Sequence, residues 1–321
     1  MHMKKIVSLL LTVLLLASCM PAMADMLPNL PMDKVSVGPA PKNDNYLSST
    51  EYVDDSISVK IYKDRYADTD YMYAHVKITH PSQLRTAPAS VGTSSKVTFK
   101  SSSTRRGRDI AEDANAVIAM NGDYYTKSEC TVVFRMGTQY RNKADGLRDL
   151  LIIDKNGDFS YLTAPRKDDY VAYYEAHKEE MYQVFCFGPV LVENGVSVIT
   201  EDYLNKYIGS QNNAQRAAIC QLGPLEYMLV VSYGNQTKDA RGKSLHKGLT
   251  IYEFAQVCEI AGKTLSENGC QLAFNLDGGN STCMNFKALD AKTNKMKYMK
   301  VNCPEIERFL SDIIYFATLV K

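Results

Sequence analysis

The stretch Ala273-Phe274-Asn275-Leu276-Asp277-Gly278-Gly279-Asn280-Ser281 is an apolar strand that runs into a carboxylate and two glycines. A second stretch, Ala119-Met120-Asn121-Gly122-Asp123-Tyr124-Tyr125, follows the same order. Strand ends present side chains at the rim of a sheet, and glycines let a ligand approach the backbone closely. Each stretch alone is also typical of an ordinary turn. Two such rims in one fold predict a pair of carboxylates, Asp277 and Asp123, of the kind that glycoside cleavage needs.

Around these rims the periodicity of the chain predicts one α+β domain with a mixed sheet and flanking helices. Thr250 to about Glu267 has apolar residues at helical spacing and a Thr-x-x-Glu capping box, which places Glu253 at a helix start. Asp109 is expected to cap a short helix, Asn156-Gly157 to form a hairpin turn, and Pro304 to Leu319 to be a last amphipathic stretch. Strands are predicted at 56–62, 71–78, 116–120, 150–154, 159–162, 189–192, 217–220, 227–232 and 271–276. The first two are expected to be adjacent and antiparallel, each with one solvent-exposed face.

The composition is that of an ordinary globular protein. The 321 residues are 45% hydrophobic and 23% charged, with 37 Lys and Arg against 36 Asp and Glu. This excludes disorder, collagen and coiled coil as the main architecture, and the near-zero net charge provides no global field for nucleic acid. An anionic ligand must therefore be bound locally, and the arginines at 105, 106 and 108 either steer such a ligand or form a solvated loop.

The N-terminus predicts export. Residues 1–24 have a basic start, a short apolar run and small residues, as secretory signal peptides do, and the apolar run is too short to span a membrane. Two processing sites compete, because Ala22-Met23-Ala24 suits ordinary cleavage whereas Leu16-Ala17-Ser18-Cys19 resembles a lipobox with Cys19 as the lipidated residue. Residues 25–45 are expected to be a flexible tether, and residues 46–321 form the folded domain. We expect a cell-surface lipoprotein or a secreted or periplasmic protein.

The cysteines and histidines do not point to a metal or a cofactor. Seven of the eight cysteines lie beyond Cys19, none in a Cys-x-x-Cys pair, and several sit in apolar runs typical of buried thiols. No zinc, metalloprotease or calcium motif is present, so no cofactor is expected, and a divalent ion at the carboxylate rim has no support from any motif. An amidase or protease that uses Cys283 is disfavoured because no recognisable His motif accompanies it.

Five motifs occur together in the order seen in the phosphodiester glycosidase family, the relatives of a lysosomal enzyme that removes N-acetylglucosamine from a phosphodiester. The chain resembles this family over roughly residues 110–318. The motifs are Asn121 to Tyr125, Phe187 to Val192 with Asn194-Gly195, Gln215 to Ile219, Gly248 to Glu253 and Asn275 to Gly279. The resemblance implies an α+β domain and a hydrolase that releases a sugar and a phosphomonoester from a sugar phosphodiester.

Charge considerations suggest roles within that reaction. The departing phosphomonoester gains negative charge, so a guanidinium aimed at it stabilises the transition state more than the ground state. We expect Arg216 to take this role, although a surface ion pair is its alternative. Because phosphate is a good leaving group, one carboxylate can dominate, and we assign that role to Asp277, as nucleophile or as base for water. Asp123 is the second catalytic candidate.

Further residues are candidates for substrate binding. Asn121 and Asn275 either bind sugar hydroxyls or hold the turns, and Ser281 either cradles phosphate or satisfies a turn. His246, with Lys247, precedes the predicted helix, where the helix dipole attracts phosphate, but a solvated loop is the simpler interpretation. Candidate binding positions are Asn121, Gly122, Asn275, Gly278, Gly279, Ser281 and His246.

Three departures from the family pattern keep a second interpretation open. Asn280 stands where a third glycine is usual, Ala217 where a threonine is usual, and Tyr233-Gly234-Asn235 where Asp-Gly-Arg is common. The alternative is a catalytically silent protein of the cell surface that binds glycan or serves exopolysaccharide or envelope assembly on the same fold. In either case the expected partner is a glycan or other carbohydrate, for the enzyme one with a phosphodiester linkage, and the only membrane contact is through a lipid anchor.

Overall fold

The structure is a computed structural model that describes residues 25–127, 130–200, 211–302 and 307–321. The predicted leader, with Cys19 and both processing sites, lies outside these residues. Cys303 and the start of the stretch expected from Pro304 onward also lie outside them.

A nine-stranded sheet forms the centre of the molecule. Across the sheet its strands are β1 (Tyr46–Ser48), β2 (Glu51–Val53), β3 (Ile57–Tyr66), β4 (Thr69–Ile78), β16 (Glu226–Ser232), β15 (Ala217–Gly223), β17 (Leu272–Asn275), β13 (Val190–Glu193) and β14 (Val196–Ser197). The hairpin of β3 and β4 is regular, with Ile57 opposite Ile78. Strand β17 lies between β15 and β13, so the Asp-Gly-Gly rim leaves the middle of the sheet and not its edge.

The remaining strands of the described residues form two five-stranded sheets and one short two-stranded ribbon. The first five-stranded sheet is β11 (Phe159–Leu162), β10 (Asp149–Asp154), β12 (Met181–Phe187), β8 (Val132–Arg135) and β9 (Thr138–Asn142). The second is β19 (Lys295–Lys300), β18 (Met284–Asp290), β7 (Ala116–Asn121), β21 (Asp312–Ala317) and β5 (Leu84–Pro88). The ribbon pairs β20 (Phe309–Leu310) with β6 (Arg105–Arg106). Every strand pair in the described ranges is antiparallel, so the sheets are antiparallel rather than mixed.

The main hydrophobic core lies between the nine-stranded sheet and the two smaller ones. It joins residues such as Ile219 and Phe274 of the large sheet to Ile118 and Ile314 of one small sheet and to Phe185 of the other. Burial of apolar surface between layers is the main favourable term in folding, so this shared core fixes the three sheets relative to one another. The confirmed fold class is therefore α+β, built as one body.

In the part of the chain that the structure describes, three α-helices cover the outer faces. They are α1 (Gly107–Asp113), α2 (Lys167–His177) and α3 (Ile251–Leu265). The predicted helix after Thr250 is confirmed as α3, and its capping box is present, because Thr250 accepts from the Glu253 N–H while Glu253 accepts from the Thr250 N–H. Its apolar face, including Phe254 and Cys258, packs on the nine-stranded sheet in a separate core. Glu253 is therefore occupied at the helix start.

Some details differ from the sequence-based expectations. Strand β4 is buried on most positions of both faces, because the nine-stranded sheet is covered on both sides at that strand. Arg106, not Asp109, is the N-cap of α1, and Asp109 lies in the first turn. The described part of the C-terminal amphipathic stretch forms strands and not a helix: β20 pairs with β6, and β21 is buried at every position between β7 and β5.

Residues 25–45 pack on the domain and do not form a free tether. The N–H of Leu27 donates to the carbonyl of Leu319 at 2.9 Å, and Leu30 is buried against the second five-stranded sheet. The buried guanidinium of Arg85 donates to the carbonyls of Pro31 and Lys34. A buried cation needs acceptors, and this segment supplies them, which is why a Pro-rich stretch without periodicity is nevertheless held in place.

Within the residues that the structure describes, no helix combines the length and the apolar character needed to cross a membrane.

Replacing Leu30 with alanine tests whether this segment belongs to the folded body. Because Leu30 is 4% exposed, we expect Leu30→Ala to lower the free energy of unfolding by about 2 kcal/mol. Val37→Ala, at a residue that is 44% exposed, is the matched control and should change it by less than about 0.5 kcal/mol. Urea denaturation measures both values, and equal effects of the two substitutions would show that the segment is not packed.

Candidate functional site

The two glycine-terminated rims meet through Asn121. Its side-chain nitrogen donates to the carbonyl oxygen of Asp277 at 2.8 Å and to that of Gly122 at 3.1 Å. Its side-chain oxygen accepts the N–H of Cys283 at 3.0 Å. Because β7 and β17 belong to different sheets, this amide joins the rims of two sheets at one place. Asn121 is buried and its amide is used on the backbone, so of its two proposed roles the structure favours holding the turns.

Asn275 has a similar role and leaves one acceptor unused. Its side-chain nitrogen donates to the carbonyl of Gly188 at 2.7 Å, and the backbone N–H groups of Gly188 and Asn275 complete the tie between the two loops. Its side-chain oxygen is buried, with no hydrogen-bond partner among the described residues. A buried acceptor without a partner is unfavourable, so this oxygen is ready to receive a donor.

Asp277 is the carboxylate at the centre of the site. Its pKa is raised to about 6, mainly by burial and also by the nearby Asp123, while Ser281, Arg308 and the Gly278 N–H act in the opposite direction. Its Oδ2 atom is buried and has no hydrogen-bond partner in the described part of the chain. Asp277 therefore combines a pKa near neutrality with an unoccupied oxygen, which are the properties of a group that exchanges protons or attacks a substrate.

Arg308 is the exposed cation beside this carboxylate. It donates from Nη1 to the Ser281 hydroxyl at 3.2 Å, and its guanidinium lies 4.7 Å from the ring centre of Tyr124. Tyr124 has φ of +59°, a left-handed conformation that is unusual for a bulky residue. Such strain is found mainly where the surrounding structure fixes a functional geometry. Ser281 thus lies between Arg308 and Asp277, within the short 3-10 turn Gly279–Ser281.

Behind the rim lies a fully buried ion cluster. The Nη2 atom of Arg135 is 2.7 Å from Oδ1 of Asp123 and 3.3 Å from Oδ2 of Asp312, and all three side chains are 0% exposed. The N–H of Cys186 donates to the other oxygen of Asp123 at 2.8 Å. Burial is the main cause that raises the pKa of Asp312, to about 7, and the charges of Asp123 and Asp277 raise it too.

This cluster does not fit the role expected for Asp123. Both of its oxygens have partners inside the protein, and no part of the side chain reaches the surface. A second reacting carboxylate would have to touch the substrate, so the geometry leaves Asp277 as the candidate for the reacting carboxylate and Asp123 as a buried residue behind it. Asp123 acts through its charge, which contributes to the raised pKa of Asp277.

Arg216 lies next to Asp277 in the sheet but its side chain is engaged elsewhere. The carbonyl oxygens of Gln215 and Ala217 accept from the N–H groups of Gly279 and Leu276, which places the Arg216 backbone beside the rim. Its guanidinium donates to the carbonyls of Leu249 at 3.0 Å and Asn212 at 2.7 Å. The guanidinium that lowers the pKa of Asp277 is that of Arg308.

Gly122 and Gly278 are required because other atoms lie very close to the backbone at these two positions. A Cβ at Gly122 would lie 2.6 Å from Oδ1 of Asp312, and a Cβ at Gly278 would lie 2.8 Å from the carbonyl oxygen of Gln215. Either would force the backbone apart at the rim. Gly279 has φ of +59° with open space around it, so it serves the turn.

His246 is an anchor of the loop that follows β16. Its Nδ1 atom accepts the N–H of Asp70 at 3.3 Å, and its ring lies 4.8 Å from that of Tyr233. Gln236 of the same loop accepts from Gln215 at 2.8 Å and donates to Asn280 at 3.4 Å. Side-chain amide hydrogen bonds therefore connect the loop to the rim at Asp277, while His246 anchors the C-terminal end of the loop.

Among residues 25–127, 130–200, 211–302 and 307–321, no group of three or more His, Cys, Asp or Glu side chains is arranged to hold a metal ion. In the same ranges, Cys130, Cys220, Cys258, Cys270 and Cys283 are buried thiols that form no disulfide. Burial raises the pKa of Cys283 to about 11, which keeps it protonated and does not suit a nucleophile.

Sequence reasoning did not identify Arg308, Arg135 or Asp312. Arg135 and Asp312 each follow or interrupt an apolar run, and a charged residue in such a run signals a buried, partnered ion. Arg308 has no such signal, because it lies 31 positions after Asp277 in the sequence and its place beside the site is set by the pairing of β20 with β6.

Comparisons with known proteins identify the family and similar folds. A family model described as "Phosphodiester glycosidase" matches residues 114–317. The catalytic domain of zebrafish N-acetylglucosamine-1-phosphodiester alpha-N-acetylglucosaminidase, auto-inhibited by its pro-peptide, is similar with a TM-score of 0.56 and 16% identity over 90% of this chain and 98% of that one. A hypothetical protein from Synechocystis has a TM-score of 0.51 and 14% identity, over 81% of this chain and 62% of that one. No curated protein sequence matches the chain.

The buried cluster predicts an unusual pH dependence of stability. The pKa of Asp312 is raised to about 7 in the folded chain, whereas in the unfolded chain it is near 3.9. The folded state therefore binds more protons between these values, and stability falls as the pH rises from about 4 to about 7. We expect Asp312→Asn to flatten this fall in urea denaturation at pH 5 and pH 8.

Asp70→Asn is the control for this experiment. The pKa of Asp70 is lowered by its hydrogen bonds with Lys63 and Arg65, which outweigh the opposing effect of its burial. Asp70 therefore stabilises the fold above its unfolded pKa, near 3.9, and loses this effect only as the pH falls below that value. Removing Asp70 should lower stability by the same amount at pH 5 and pH 8, whereas Asp312→Asn should change the difference between the two pH values, and parallel pH profiles of the two variants would exclude our assignment.

Proposed function

Because the chain belongs to the phosphodiester glycosidase family, we propose that it hydrolyses a sugar phosphodiester at the anomeric carbon and releases a sugar and a phosphomonoester. The observation that carries this proposal is the pair formed by Asp277 and Arg308 around Ser281. It joins a carboxylate with a pKa of about 6 to an exposed guanidinium at one rim. These are the two kinds of group that cleavage of such a bond needs.

Arg308 serves the leaving group. A phosphodiester carries one negative charge and the departing phosphomonoester approaches two, so the interaction with a guanidinium strengthens along the reaction. The guanidinium is oriented by Ser281 and by the ring of Tyr124, which reduces the cost of ordering it when substrate binds. Arg308 thus takes the role that the sequence assigned to Arg216.

Asp277 serves the anomeric carbon. Its free Oδ2 either attacks the sugar or accepts a proton from an attacking water, and either role requires the ionised form. The positive charge that develops on the sugar is stabilised by this carboxylate. Because phosphate leaves readily, the reaction does not depend on a second carboxylic acid at the surface, and the burial of Asp123 does not argue against turnover.

We also propose that the protein is exported, as a lipoprotein through Cys19 or after cleavage at Ala22-Met23-Ala24. The support is the leader of residues 1–24, with its basic start and short apolar run. The substrate is then a glycan or glycolipid of the cell envelope or its surroundings that contains a sugar phosphodiester.

A panel of sugar 1-phosphate methyl esters, carrying N-acetylglucosamine, glucose, galactose or mannose, tests the reaction through release of free sugar. We expect Asp277→Asn to lower kcat by about 10²–10⁴-fold, as for loss of a catalytic acid or base. Asp168→Asn removes an exposed carboxylate from α2 and is the matched control. Glycan binding without turnover, unchanged in Asp277→Asn, would instead support the silent binding protein.

Arg308→Gln tests the leaving-group role. We expect a loss in kcat of about 10²–10³-fold, comparable to removing one donor of an oxyanion hole, with a smaller change in KM. Lys292→Gln removes one exposed cation from the turn between β18 and β19 and should leave kcat unchanged. A larger loss in Arg216→Ala than in Arg308→Gln would return the role to Arg216.

The pH profile of kcat/KM separates the roles of Asp277. A nucleophile or base must be ionised, so the rate should rise with pH through about 6, the pKa of Asp277. A general acid must be protonated, and the rate would then fall above the same pH. Measurement from pH 4 to pH 8 distinguishes the two, and a fall above pH 6 would contradict the role of Asp277 as nucleophile or base.

A further inference from the structure

A cleft of about 220 Å³ opens beside Tyr125, the residue after Tyr124 of the site. Its walls include Phe99, Lys100, Ser101, Tyr140 and Arg141. Two of the lining residues carry a charge, Lys100 and Arg141, and both are cations. A concave surface with this charge attracts an anion, and the site described above does not use it.

The guanidinium of Arg141 is fixed by the backbone. Its Nη1 atom donates to the carbonyls of Tyr125 at 3.1 Å and Lys127 at 3.4 Å, and also to that of Cys130. All hydrogen bonds of Arg141 to described residues come from this one nitrogen, so Nε and Nη2 keep donors for a ligand. Lys100 is exposed in the turn that follows Phe99, and its ammonium can meet the same ligand from there.

Three aromatic side chains line the cleft beside the cations. The ring of Phe99 lies 5.6 Å from that of Tyr125 and 5.5 Å from that of Tyr140. The Tyr125 hydroxyl donates to the carbonyl of Ser101 at 3.1 Å. These contacts connect the segment that carries Lys100 to the rest of the cleft.

Cations connect the cleft to Asp277. The ring of Tyr124 contacts the guanidinium of Arg308 at 4.7 Å and the ammonium of Lys127 at 5.5 Å. Tyr125 follows directly and lines the cleft, and consecutive Cα atoms are about 3.8 Å apart. The cations at Tyr124 and the cleft at Tyr125 are therefore neighbours along the chain.

We propose that this cleft is a second anion-binding subsite, which holds a further phosphoryl group on the leaving portion of the substrate. The proposal rests on the proposed hydrolase function, with the first phosphoryl group at Arg308. It identifies the substrate class as one with two phosphoryl groups, either a sugar 1-diphosphate ester or two consecutive units of a phosphodiester-linked glycan.

The kinetic test compares substrates with one and with two phosphoryl groups, using the sugar that the panel identifies. We expect Lys100→Glu to lower kcat/KM for the two-phosphoryl substrates about tenfold, through KM, and to leave the methyl ester unchanged. Lys100→Arg should retain the preference. Lys96→Glu makes the same charge change four residues away, outside the cleft, and should have no effect.

The two substrate sources are separated by this comparison. A sugar 1-diphosphate ester and a phosphodiester-linked disaccharide are assayed with the same variants, and the one whose KM responds to Lys100→Glu is the one that reaches the cleft. Equal losses for all substrates, or no loss for either two-phosphoryl substrate, would overturn the proposal.

A binding measurement keeps the test independent of turnover. Calorimetric titration of the Arg308→Gln chain with inorganic pyrophosphate should detect binding at the cleft, and adding Lys100→Glu should weaken it at least about tenfold. If the panel shows no turnover but this binding depends on Lys100, the result contradicts the proposed hydrolase activity and supports the anion-binding subsite. Pyrophosphate binding that Lys100→Glu does not change would exclude the subsite, whatever the panel shows.

Discussion

The site depends on one buried cation, Arg135. Its guanidinium lies on β8 of one five-stranded sheet and pairs with Asp312 on β21 of the other and with Asp123 at the rim after β7. It also donates to the carbonyls of Phe134 and Val184. Removing one partner from such a group leaves an uncompensated buried charge, which costs several kcal/mol. This ion cluster therefore fixes the two small sheets relative to each other, directly behind the rim that carries Asp277.

The same cluster contributes to the protonation of Asp277. Asp123 and Asp312 provide two carboxyl groups for one guanidinium, and burial raises the pKa of Asp312 to about 7. Burial is also the largest cause that raises the pKa of Asp277, to about 6, and the charge of Asp123 adds to it, while Ser281 and Arg308 lower it. The pKa of Asp277 therefore lies near neutrality although this carboxyl group lies beside a cation.

Local patterns predicted most of the framework and only part of the site. Helix α3 follows from its capping box and spacing, and β7, β10 and β17 follow from apolar runs that end in turn residues, because these signals are local. Strand β12 and helix α2 were missed, since one is apolar at nearly every position and the other has almost no apolar face. Asp277 could be found because it ends a strand. Arg308 could not, because its position is set by the pairing of β20 with β6, which no local pattern contains.

Two departures from the family pattern meet at one contact. Where the family commonly has a charged pair after β16, this chain has a loop whose Gln236 joins Gln215 to Asn280 through side-chain amides. Amides bind one another through neutral hydrogen bonds, so this contact holds the loop at the rim after β17 without a charged pair. In the proposed reaction the phosphoryl group is then met on the Tyr124 side of Asp277, where Arg308 and Lys127 lie.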